Sequence, residues 1–102
     1  MLKAIEPGSP SPIHRHRNSS ETVVCLRGRL VEEFYQEVQG SGGKVQEVQG
    51  PRAELVEAIE LSPNGPMVAV NIPIGQWHTV RSLESGTIIM EVKASYDLIQ
   101  PY

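Results

Sequence analysis

Glu21-Thr22-Val23-Val24-Cys25-Leu26-Arg27-Gly28 is the stretch that decides the fold. It is apolar and β-branched and stops on a glycine, the pattern of a strand that runs into a turn. Immediately after it, residues 30–39 form a second extended candidate, broken by Gly40-Ser41-Gly42-Gly43. Residues 44–49 then alternate apolar and polar, so 30–39 and 44–49 read as a projecting antiparallel ribbon, an extended ribbon or loop insertion over about 38–52. Working outward, further strands are expected at 56–61, 67–72, 77–83 and 87–93, separated by Ser62-Pro63-Asn64-Gly65-Pro66, Pro73-Ile74-Gly75 and Glu84-Ser85-Gly86. Only residues 52–61 admit a rival helical reading, with Leu55, Val56 and Ile59 on one face; Ile59 and Leu61 fit alternation equally, and a loop entering a strand is preferred. Short strands between turn signals define an all-β sandwich or barrel, one domain over residues 1–102.

Net charge is −3, which gives no reason to expect nucleic acid or an anionic membrane as partner. The charge is unevenly spread. Residues 1–29 carry five basic side chains against Glu6 and Glu21, whereas residues 30–64 carry seven glutamates against Lys44 and Arg52. No run approaches the roughly 20 apolar residues that span a bilayer, and the first residues lack a signal-peptide core, so a cytoplasmic protein is expected. The single Cys25 cannot form an intrachain disulfide, in keeping with a reducing compartment.

All three histidines of the chain fall in two spaced motifs: His14-x-His16 followed by Glu21, and Pro73-x-Gly75-x-x-His78. A first-row divalent ion needs three or four imidazole and carboxylate donors converging on one point, and this distribution provides them. On an extended segment, residues two apart point to the same side, so His14 and His16 form a chelating pair while Arg15 and Arg17 face away. Residues 17–20 turn the chain so that Glu21 returns a carboxylate to that point. Pro73 and Gly75 make a tight turn that aims His78 from across the barrel. The expected metal ligands are therefore His14, His16, Glu21 and His78. The donor set is borderline and fits iron, manganese, nickel, zinc or copper.

These residues carry a resemblance. Gly8, His14-x-His16, Glu21 and Gly28 are spaced like the first cupin motif, and Pro73-x-Gly75-x-x-His78 resembles the centre of the second. Residues 21–29, 72–79 and 91–93 with Tyr96 resemble the WbuC-type cupin-fold metalloproteins, a group associated with bacterial surface-polysaccharide gene clusters. The likeness covers most of residues 4–97. Two positions depart from the general second motif: Gly65 stands eight residues before Pro73 rather than six, and Ser82 replaces an asparagine. The resemblance implies a single cupin barrel, a jelly roll of two packed antiparallel sheets with the metal between them. It also implies a carbohydrate-like or other small polar metabolite as ligand or substrate, and Glu91, Lys93 and Tyr96 as cavity-lining residues.

Three imidazoles and one carboxylate leave about two positions of a six-coordinate ion open to water or substrate. A small metal-binding cupin acting on or binding a polar metabolite is the leading reading. An iron(II)-dependent dioxygenase and a non-catalytic metal- or ligand-binding module are the alternatives, and no catalytic residue is assigned. Cys25 shares the inward parity of Glu21 and is expected in the core, with no histidine left to activate it. Trp77 reads as packing beside the site or as a lid, and Arg27, Arg29 and Arg81 as solvated or salt-bridged cations or as guides for an anion. Exposed strand edges in so short a barrel favour a homodimer.

Overall fold

The structure, a computed structural model, describes residues 1–9, 11–38 and 52–95. Among these residues, seven strands make two antiparallel sheets: β1 (Leu2–Ile5), β2 (Ser19–Arg27), β3 (Leu30–Glu37), β4 (Ala53–Leu61), β5 (Ala69–Ile72), β6 (Trp77–Ser82) and β7 (Thr87–Ser95). One sheet has the order β1-β7-β2-β5 and the other β4-β3-β6, and no hydrogen-bonded ladder joins these strands into a closed barrel. The all-β expectation therefore holds as two facing sheets. The expected ribbon of 30–39 with 44–49 is corrected over its described part: β3 is a central strand paired with β4 on one side and β6 on the other, and the Val38 amide continues the first pairing by donating to the Arg52 carbonyl (2.9 Å). Residues 39–51 lie outside the described residues.

Period-two alternation is visible in the burial of the central strands. On β2 the inward residues are Glu21, Val23 and Cys25, and on β3 they are Leu30, Glu32 and Phe34. With Leu61, Ile72 and Ile89 from three other strands, the apolar members of these rows form the core between the sheets. The two rows also contribute a carboxylate each, Glu21 and Glu32, to the interior, where His78, Thr79, Ser82 and Thr87 are the other buried polar side chains among the described residues.

The chain passes from one sheet to the other between β2 and β3 at Gly28, where φ is +85° and an added Cβ would lie 2.8 Å from the Thr87 Cα. Only glycine meets both conditions. Buried Thr87 locks the corner: its hydroxyl donates to the Glu84 carbonyl (2.7 Å) and accepts from the Arg29 amide (3.3 Å). The inward parity expected for Cys25 is observed, and burial pushes its thiol pKa up, away from the thiolate a nucleophile needs.

Besides shifts of one or two residues at the ends of β2, β5, β6 and β7, three segments differ from the sequence reading. Residues 52–61 contain no helix, and β4 begins at Ala53 without the expected entering loop, because pairing with β3 continues to Glu37. β1 was not expected; four mostly exposed residues gain strand geometry by pairing with β7. The His14 and His16 segment is not a regular strand. It makes one isolated bridge, His14 to His78, and the Pro12 beside it has no amide hydrogen with which to extend a ladder.

Candidate metal centre

The bridge nevertheless performs the task expected of a strand. The His14 amide donates to the His78 carbonyl (2.9 Å) and the His78 amide to the His14 carbonyl (2.8 Å), while the Gly75 amide donates to the His16 carbonyl (2.8 Å). The segment is thus held at His14 by β6 and at His16 by the turn that precedes that strand, and their shared parity brings both rings to the ring of His78. Ring centroids are 4.3 Å apart for His14 and His78, 5.2 Å for His14 and His16, and 5.4 Å for His16 and His78. One nitrogen from each ring lies within 4.8 Å of the other two. Gly75, at φ +83°, provides the backbone reversal in the turn before β6.

Tautomers follow from the carbonyls nearby. His14 Nδ1–H donates to the Pro12 carbonyl (2.9 Å) and His78 Nδ1–H to the Gln76 carbonyl (2.8 Å), which leaves the Nε2 lone pair of each neutral ring free. The Nε2 atoms of His16 and His78 are buried and have no hydrogen-bond partner. A buried imidazole nitrogen without a partner is costly in a protein interior and suits an ion that would bind it at about 2.0–2.1 Å.

Glu21 approaches from the opposite sheet. Its Oε1 is 3.4 Å from His16 Nε2 and 3.7 Å from His78 Nε2, and the residue is 5% exposed. The close nitrogen group comprises the three histidines; Glu21 stands against two of them. The His78 imidazole holds the Glu21 carboxyl pKa below its ordinary range, against the opposing effect of burial. Burial disfavours charge on His78, but Glu21, the Gln76 carbonyl and Glu32 together outweigh it and raise the His78 pKa. His16 is shifted down, by burial first and by Lys93 next, towards the neutral form that a ligand requires.

A cavity of about 60 Å³ adjoins the cluster, lined among others by His14, Glu21, His78, Glu32, Glu91 and Lys3. Glu32 was not singled out by sequence reasoning. It is 1% exposed, its Oε1 has no hydrogen-bond partner, and burial, followed by the nearby carboxylates of Glu21 and Glu91, pushes its pKa up to about 8 despite the favourable influence of His78. The signal was present in the Leu30-x-Glu32-x-Phe34 row, whose parity places a carboxylate between two core residues.

The other residues raised from the sequence are dispersed. Glu91 lines the cavity and lies 3.8 Å from Lys3 Nζ, Lys93 is exposed on β7, and Tyr96 lies outside the described residues. Trp77 precedes His78 on β6 and is covered by the Arg15 guanidinium at 4.5 Å, a packing partner. Arg29 pairs with Glu60 and Glu84, and Arg81 with Glu33, all at 3.2 Å. No protein-family model matches the chain, and no curated protein matches it. Among the described residues, no helix is long and apolar enough to cross a membrane.

Proposed function

We propose that this chain is a small metal-binding module of cupin type, in which His14, His16 and His78 hold a divalent transition-metal ion and Glu21 completes the donor set. Three imidazoles from two distant segments, two of them with a buried and partnerless Nε2, carry this reading. The Pro12 and Gln76 carbonyls orient two of the rings, and Glu21 supplies the negative charge that offsets a divalent cation. When bound, such an ion acts as a Lewis acid towards an oxygen ligand. The native metal is one of iron, manganese, nickel, zinc or copper, all compatible with mixed nitrogen and oxygen donors.

The ligand we propose is a carbohydrate-like or other small polar metabolite. The cupin-like motif spacing supports it, as do the polar side chains of Glu32, Glu91 and Lys3 around the small cavity of about 60 Å³ beside the cluster, which would receive one polar group of such a molecule. Homodimerisation belongs to the same reading: β4 is a nine-residue edge strand bearing exposed Leu55 and Val56.

Elemental analysis of protein purified without an affinity tag, then thermal-shift titration with metals, chelator and candidate metabolites, tests the assignment. One equivalent of a divalent metal with a ligand-dependent stabilisation is the expected result; no tight metal binding contradicts it. Oxygen uptake by the iron-loaded chain with a bidentate organic acid would move the assignment to an iron(II)-dependent dioxygenase. Stabilisation by metal with no ligand response would make it a non-catalytic module.

A further inference from the structure

The metal reading leaves one buried polar atom of the same cavity unused. Glu32 Oε1 lies in the interior without a hydrogen-bond partner, on the central strand β3, whose inward row otherwise reads Leu30 and Phe34. A buried carboxyl oxygen with no partner destabilises a fold, and an apolar side chain of similar size would be tolerated better at the same place. Glu32 is held by the sheet between Ile59 on β4 and Val80 on β6, so it cannot swing to solvent without breaking β3. It does share its cavity with His14, His78 and Glu21, and the cavity has room for an ion and a few waters.

We propose that Glu32 is a binding residue for a water or hydroxyl group lodged in this cavity beside the metal, hydrogen-bonded through Oε1; the inference rests on the metal reading above. The donor set is then divided by chemistry. The histidines and Glu21 hold the ion, and Glu32 holds the oxygen group next to it. The ligand class narrows accordingly to molecules that can present a hydroxyl group at the cavity, with water as the resting occupant. Glu32 is separate from the ligand set because Glu21 Oε1 stands 3.4 and 3.7 Å from the Nε2 atoms of His16 and His78, whereas Glu32 Oε1 has no such partner.

The full chain and the variants Glu32→Gln and Glu32→Met are loaded with Co²⁺ and, separately, with Mn²⁺. Stoichiometry and Kd, the visible absorption of the Co²⁺ form and the water-proton relaxivity of the Mn²⁺ form are read for each. The expected result is one equivalent of metal throughout, a Kd changed by less than about tenfold, below the usual effect of losing a residue that orients a ligand, and a shifted Co²⁺ band with altered relaxivity in Glu32→Met. The metal-free Glu32→Met chain should also melt higher than the parent. Glu32→Gln keeps the shape and one oxygen, so it carries the comparison if Glu32→Met does not fold, and should alter relaxivity in the same direction. Unchanged Co²⁺ absorption and Mn²⁺ relaxivity in the variants overturn the proposal while the metal site stands. A much larger loss of affinity overturns it by making Glu32 a ligand. A parent chain that binds neither ion brings down the metal reading and this inference together.

Discussion

His14 and His78 are partners twice over: each donates its backbone amide to the other's carbonyl, and their rings lie 4.3 Å apart. The sixty-three residues between them, 15–77, are thereby closed onto one point by two hydrogen bonds. His16 and Glu21 then reach the same point from the irregular segment and from the facing sheet. Replacement of His16 or His78 by Ala should reduce metal affinity by at least about 10- to 100-fold, since direct donors matter no less than the groups that orient them. Arg15→Ala should retain the metal because its guanidinium covers Trp77 rather than joining the cluster. Metal content after dialysis against a weak chelator distinguishes them, and equal content in all three variants would contradict the assignment.

Acid should release the ion. Histidine ligands bind metal in their neutral form, so protons compete below the free imidazole pKa of about 6.5. In titrations followed by metal release, loss of the ion should be complete well above pH ~3. Retention to that pH would exclude imidazole ligation.

The metal-free chain should lose stability as pH rises from about 5 to 8. Glu32 has a folded-state pKa raised from 4.5 to about 8, so in this window the folded state binds more protons than the unfolded state. Stability from this group is complete below the unfolded value and disappears as pH climbs through the folded one, on the order of a few kcal/mol in total. Glu6 and Glu21, whose pKa values are lowered, act in the opposite sense and mainly below pH 4.5. His16 and His78 are shifted in opposite directions within the window, so the comparison is made against Glu32→Gln. Urea midpoints should fall with pH more steeply in the parent than in the variant. Parallel curves would place the Glu32 proton elsewhere.

Most strands were legible because their own side chains alternate. Val23 and Cys25 on β2 and Leu30 and Phe34 on β3 announce their inward faces, and Gly28 marks the corner between them. β1 and the first three residues of β4 were not legible, since Leu2 and Leu55 are exposed and these segments owe their extension to neighbouring strands. The histidines were legible as a set because motif spacing survives the difference between a strand and a single bridge. Glu32 was missed because no motif contains it; only the parity of its row places it inside.

Gly28→Ala should destabilise the fold without changing the donors. The position has φ +85° and a Cβ would lie 2.8 Å from a backbone atom of Thr87, so strain and collision add. A loss of roughly 1–3 kcal/mol from the backbone conformation alone is expected, with the collision in addition. Urea unfolding gives the number, and a midpoint equal to the parent's would mean that the corner relaxes freely. Metal stoichiometry of the folded fraction should remain at one.

The outer edge of β4 is where self-association should be interrupted. Among the described residues β4 has one hydrogen-bonded neighbour, β3, and Leu55 and Val56 are 50% and 52% exposed. An unpaired edge with apolar side chains is a template for another strand, and lysine on such an edge is a common protection against it. In a dimer built on β4, Leu55→Lys combined with Val56→Lys should shift the mass measured by light scattering to that of one chain and leave metal content unchanged, because neither residue belongs to the histidine cluster or lines the cavity beside it. A parent chain that is already monomeric at high concentration would remove β4 as an interface, and a double variant that stays dimeric would move the contact to another edge.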